Sequence, residues 1–79
     1  MNVTIRYFAM LREQARRDAE TRPTNAATVA ALYAELAQAY SFTVPVTALR
    51  AAVNGAFVAL DTGLRDGDEV TFIPPVAGG

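Results

Sequence analysis

The sequence predicts an α+β domain in which one amphipathic helix lies across one face of a mixed β-sheet. Three observations carry this. Apolar and polar residues alternate near both ends, in "NVTIRY" and "EVTFI"; one apolar stripe at helical spacing runs from Val29 to Tyr40; and Asn54-Gly55 stands between two apolar runs. At 79 residues and 52% hydrophobic content the chain suits a single domain, near the lower size limit for an unaided core.

The first strand places Val3, Ile5 and Tyr7 on one face and Thr4, Arg6 and Phe8 on the other. Phe8 is the odd member, an apolar ring on the polar face. "MLREQARR" is rich in helix formers and predicts a short helical turn, with Glu13 four residues before Arg17 as a weak supporting pair. Asp18 to Pro23 predicts an edge strand, because charges and proline blunt edges.

The main helix is the clearest element. Val29, Leu32, Tyr33, Leu36, Ala37 and Tyr40 follow the i, i+3, i+4, i+7, i+8, i+11 stripe, and Thr28 stands at the N-cap. Tyr33 and Tyr40 are expected in the core. A loop around "SFTVPVT" follows, and then Asn54-Gly55 predicts a hairpin, since this dipeptide takes the positive φ values of a type I′ turn. Asp61 to Gly63 and Asp66-Gly67 are further turn signals. The last strand has Val70 and Phe72 on one face and Thr71 and Ile73 on the other, and Pro74-Pro75 ends it because neither proline can donate to the ladder.

Composition excludes several kinds of chemistry. The chain has no cysteine and no histidine, which removes disulfides, thiolate metal sites and the usual general base. All seven basic residues are arginine, so no lysine can form a Schiff base or accept an acyl group. A net charge of −1 offers no basic footprint for nucleic acid or an anionic membrane, and neither is expected as a partner. The N-terminal alternation is unlike a secretion signal and no apolar run could span a bilayer, so a cytoplasmic location is expected.

Asp61, Asp66, Asp68 and Glu69 lack the spacing of a calcium loop and are expected in turns and solvent; no metal site is expected. Arg12 and Arg16 share a helical face that is expected to be solvated. The exposed apolar side chains are more telling. Phe8, Phe57 and Ile73 fall on the sheet face away from the helix, and such a patch on a small domain marks a partner-binding surface.

The chain ends "FIPPVAGG", and a stiff Pro-Pro pair before a bare Gly-Gly carboxylate has no use inside the fold. Here the residues resemble a known family. "YFAMLREQA", "LRAAVNGAFV" and "LRDGDEVTFIPPVAGG" are similar to the small subunits of molybdopterin synthase, the sulfur carriers of molybdenum cofactor biosynthesis, within the ubiquitin-like β-grasp fold. The resemblance implies a β-grasp domain over residues 1–75 and a flexible reactive tail over residues 76–79.

It also implies that the Gly79 carboxyl is adenylated by an ATP-dependent activating enzyme, becomes a thiocarboxylate, and gives its sulfur to cyclic pyranopterin monophosphate held by a large subunit in a heterotetramer. Pro74, Pro75, Val76, Ala77 and Gly78 would then be the segment that enters each partner's active site. No cofactor would be bound, ATP would belong to the activating enzyme, and sulfur would be carried covalently on Gly79. The chain would supply no catalytic group of its own.

Elementary chemistry agrees. A carboxylate is a poor acyl donor until it is activated, and without cysteine the terminal carboxyl is the plausible place to hold sulfur. Glycine at the end lets an extended backbone enter a narrow channel that a Cβ would obstruct. Ordering the four residues after Pro75 costs about 4–8 kcal/mol in backbone entropy, whereas burying Val76 returns only about 1.5–3 kcal/mol; a docking surface on the domain must supply the rest. Ala77 stands where the family often has a small hydroxyl residue. A carrier for thiamine biosynthesis, a ubiquitin-like protein modifier and a non-reactive adaptor are the alternative readings.

Overall fold

The computed structural model describes residues 1–76. In chain order the elements are β1 (Asn2–Tyr7), α1 (Ala9–Ala15), β2 (Ala19–Pro23), α2 (Val29–Tyr40), a 3-10 turn (Val46–Ala48), β3 (Arg50–Val53), β4 (Ala56–Val58) and β5 (Glu69–Ile73). The strands form a sheet in the order β2-β1-β5-β3-β4. β1 and β5 are parallel neighbours at its centre, and the other pairings are antiparallel. This is the mixed sheet of the β-grasp fold, with α2 across one face.

Register turns the two alternating patterns into one core. Ile5 lies opposite Val70, Tyr7 opposite Phe72, and Phe72 in turn opposite Ala51. All of these are buried, and they meet Val29, Leu32, Tyr33 and Leu36 of α2. The rings of Tyr33 and Phe72 pack edge to face at 5.3 Å. α2 begins where Thr28 Oγ1 accepts the Ala31 N–H at 3.1 Å and ends at Ser41, which takes φ 57°.

The loop after α2 does more than connect. Val44 is buried, its carbonyl accepts the Tyr33 hydroxyl at 2.6 Å, and Phe42 stacks on Tyr33 at 5.6 Å. Tyr40 departs from expectation in being only half-buried, because α2 reaches the sheet edge there and its hydroxyl donates to Glu20.

The helical expectation for residues 10–17 needs correction at its end. Arg16 adopts φ 59° and closes α1 by donating its N–H to the Arg12 carbonyl at 2.9 Å. Arg16 is thus the C-cap and not part of the helix body, and Arg17 pairs with Glu20 at 3.3 Å instead of with Glu13. Arg12 lies 3.7 Å from Asp18.

The hairpin forms as expected, with Asn54 at φ 51° and Gly55 at φ 87°. Asn54 also ties the hairpin to the start of β5: its Nδ2 donates to Asp68 Oδ1 at 3.0 Å and its Oδ1 accepts the Glu69 N–H at 2.9 Å. The acidic residues before β5 build a turn that holds this strand beside β1. Asp66 Oδ1 accepts the Asn2 N–H at 2.7 Å and Asp68 Oδ2 accepts the Arg65 N–H at 2.8 Å, while Gly67 sits at φ 86°.

Candidate functional site

The C-terminal segment leaves from the middle of the sheet. β5 is paired on both sides, to β1 through Phe72 and to β3 through Ile73, so the segment starts from the interior of the sheet. Ile73 lies opposite Arg50 in the last rung; Pro74 and Pro75 offer no N–H, and the ladder stops. Pro74 is buried, Pro75 is exposed and Val76 is 86% exposed. The chain thus passes from core to solvent within two residues. Ala77, Gly78 and Gly79 lie outside the described residues.

A groove of about 620 Å³ runs beside this exit, between α1 and the end of β5, with Phe8, Met10 and Glu13 on one side and Thr71, Ile73 and Pro74 to Val76 on the other. Phe8 is 47% exposed and Ile73 is half-buried. The structure therefore brings two of the three expected patch residues into one groove. Phe57, 68% exposed on β4, lies on the same sheet face, because it pairs with Ala52, which pairs with Thr71. It lines a separate, smaller groove with Arg50, Val58 and Leu60.

Met10 belongs to the surface and sequence reasoning missed it. Its signal was present: Leu11 and Ala15, four apart, form the buried face of α1, which turns Met10 outward beside Phe8.

Three tyrosines and one carboxylate are shifted by their surroundings in the fold. Burial pushes the Tyr7 phenol upward, and its hydrogen bond to Glu20 adds to this; Tyr40 is raised for the same two reasons, and Tyr33 by burial. Raised phenols stay protonated near neutrality and donate. Burial of Glu20 favours its neutral form, but the Tyr40 and Tyr7 hydroxyls, with Arg17 and Arg22, outweigh that and hold the carboxylate below its ordinary range. This cluster sits on the helix-covered face at the β2 edge, on the opposite side of the sheet from the apolar grooves. Among the described residues no group of three or more acidic, His or Cys side chains could hold a metal ion, and no helix is long and apolar enough to cross a membrane.

Comparison with known proteins follows the same line. The model of the ThiS family matches residues 5–79. A molybdopterin synthase sulfur carrier subunit from Escherichia coli strain K12 is 38% identical over 80 residues, covering 98% of this chain and 99% of that one. Among solved structures, SAMP1 from Haloferax volcanii superimposes with a TM-score of 0.80 at 26% identity over the whole of both chains. The complex of subunits 1 and 2 of molybdopterin-converting factor from Helicobacter pylori 26695 contains a chain with a TM-score of 0.68 at 26% identity, again over the whole of both.

Proposed function

The chain belongs to the ThiS family, and on that footing we propose that it is the sulfur-carrying small subunit of molybdopterin synthase. One observation carries the reading: the family match extends through residue 79, and the chain approaches that terminus from the central strand, with Pro74 buried and Val76 in solvent. A carrier needs a reactive end that projects from a rigid base. The Escherichia coli relative bears this name, and the Helicobacter pylori structure is a complex of subunit 1 with subunit 2 of molybdopterin-converting factor.

In the proposed cycle a Gly79 carboxylate oxygen attacks the α-phosphorus of ATP on an activating enzyme, and pyrophosphate leaves. The terminal sulfur of a persulfide donor attacks the acyl carbon and AMP leaves; a thiol then attacks the donor-side sulfur of the acyl disulfide, which releases the thiocarboxylate and leaves donor and thiol joined as a disulfide. The large subunit then takes the tail into its active site, where the thiocarboxylate sulfur bonds to cyclic pyranopterin monophosphate, and water attacks the acyl carbon of the resulting thioester, so that the sulfur leaves on the pterin and the plain carboxylate is regenerated. The chain's own residues bind and position. Phe8, Met10, Ile73 and Phe57 supply apolar area whose burial offsets the entropy cost of fixing the C-terminal segment in the partner's site. The setting is the cytoplasm, and two copies of the chain occupy the ends of a heterotetramer.

The test is reconstitution. Incubation with the activating enzyme, ATP and a sulfur donor is expected to exchange one oxygen for sulfur in the C-terminal peptide, and deletion of Gly79 to abolish the exchange. Addition of the large subunit and cyclic pyranopterin monophosphate then returns the carboxylate as molybdopterin forms. Acceptance of the sulfur only by a thiazole precursor would replace this reading with the thiamine pathway. Amide linkage of Gly79 to lysines of other proteins would make the chain a modifier.

A further inference from the structure

Arg50 occupies an unusual place on the proposed docking face. It is exposed at the start of β3, opposite Ile73, and borders two apolar depressions at once. One contains Phe57 and Leu60, and the other, of about 290 Å³, contains Ile73, Pro75 and Val76. Any partner that covers both Phe57 and the tail exit must also cover Arg50.

Its charge is uncommitted. Arg6 pairs with Glu69 at 3.2 Å, Arg12 with Asp18 at 3.7 Å, Arg17 with Glu20 at 3.3 Å and Arg22 with Glu35 at 3.2 Å, whereas Arg16, Arg50 and Arg65 have no ion pair among the described residues, and of these three Arg50 alone borders the grooves at the exit. Among the described residues Glu13 is the one acid that lines the groove beside the exit, on its α1 wall, across from Ile73. Covering a guanidinium without a counter-charge is strongly unfavourable, while a carboxylate can meet its planar fork with two parallel hydrogen bonds.

We propose that Arg50 receives an Asp or Glu side chain at the mouth of the large subunit's cleft, and that this pair sets the rotational register in which the tail enters. The inference rests on the function proposed above and adds the chemistry of the partner surface. Apolar contacts around Phe57 and Ile73 are tolerant of small rotations, and a bidentate ion pair is not. With Arg50 on the β3 side of the exit and Glu13 on the α1 side, the tail emerges between opposite charges, so a partner bearing an acid on the wrong flank meets repulsion.

The experiment measures association of the full chain with its cognate large subunit by stopped flow and calorimetry over a range of salt concentrations. Arg50→Glu is expected to weaken binding by about tenfold or more, slow association and flatten the salt dependence. Arg50→Gln should fall between it and the natural chain, and Arg50→Lys should recover most of the affinity. Replacing the facing acid of the large subunit with Arg should rescue Arg50→Glu. Coincident melting curves for these variants establish that the fold is intact. Binding by the natural chain, with Arg50→Glu equal to it in affinity and salt slope, overturns this inference alone. No binding by the natural chain overturns the proposed function and this pair with it.

Discussion

Replacing Glu20 is expected to cost this domain a large part of its stability, because one carboxylate oxygen serves two aromatic hydroxyls. Tyr7 and Tyr40 both donate to Glu20 Oε2, Arg17 lies 3.3 Å from Oε1, and the Glu20 side chain is only 10% exposed. A hydrogen bond to a charged acceptor contributes about 1.5–3 kcal/mol. The two bonds share an oxygen, so they do not simply add, and the pair with Arg17, itself about half exposed, adds little. In Glu20→Ala the buried Tyr7 hydroxyl loses its partner, whereas the half-buried Tyr40 can recruit water. The expected loss is about 3 kcal/mol, against a total of about 5–15 kcal/mol for a domain of ordinary stability. That corresponds to a fall in Tm of roughly 12–24 °C for a chain of this size.

Glu20→Gln, which keeps one acceptor, should lose less. Circular dichroism melts of the natural chain and both variants at neutral pH would measure this, and a pH series gives a second signature. The folded state holds Glu20 below its ordinary range, so its contribution is complete above the unfolded value near about 4.3. It is lost as pH falls through the lower folded value. The gap between the natural chain and Glu20→Gln should therefore narrow in acid. If Glu20→Ala melts within about 0.5 kcal/mol of the natural chain, or if the gap is the same at pH 7 and pH 3, the reasoning about this cluster is wrong.

At the alkaline end the sign reverses for the phenols. Tyr7, Tyr33 and Tyr40 are raised, so the stability linked to them is complete below about pH 10 and declines as pH rises beyond it; Tyr7→Phe should melt with a shallower alkaline decline. Gly55→Ala should cost about 1–2 kcal/mol by chemical denaturation, from backbone strain alone, since a Cβ there meets nothing within 4 Å and φ is +87°. Asn54→Ala should cost more, because it also frees the Glu69 N–H and Asp68 at the start of β5. Phe57→Asp should leave the melting curve nearly unchanged, the ring being 68% exposed, yet weaken binding to the large subunit by several kcal/mol in calorimetry. Equal affinity would remove Phe57 from the interface.

The elements, and the pattern at the terminus on which the proposed function rests, were legible in the sequence by itself. Val3, Ile5 and Tyr7 alternate, the stripe on α2 is unbroken, Asn54-Gly55 admits few conformations, and Pro-Pro before Gly-Gly is a local pattern; each is written in neighbouring residues, where steric rules and periodicity act directly. Tertiary structure decided what those patterns meet. The sequence does not disclose that β1 pairs in parallel with β5 more than sixty residues later, because either alternating strand would suit several neighbours and only closure of the whole core selects one. That pairing puts β5 at the centre, so Pro74 is buried, and sets the exit between α1 and Arg50. The same closure brings Tyr7, Glu20 and Tyr40 to one oxygen and turns Met10 into the groove beside Phe8. Such contacts join residues that no local period relates, and they arise only when distant segments must share one small interior.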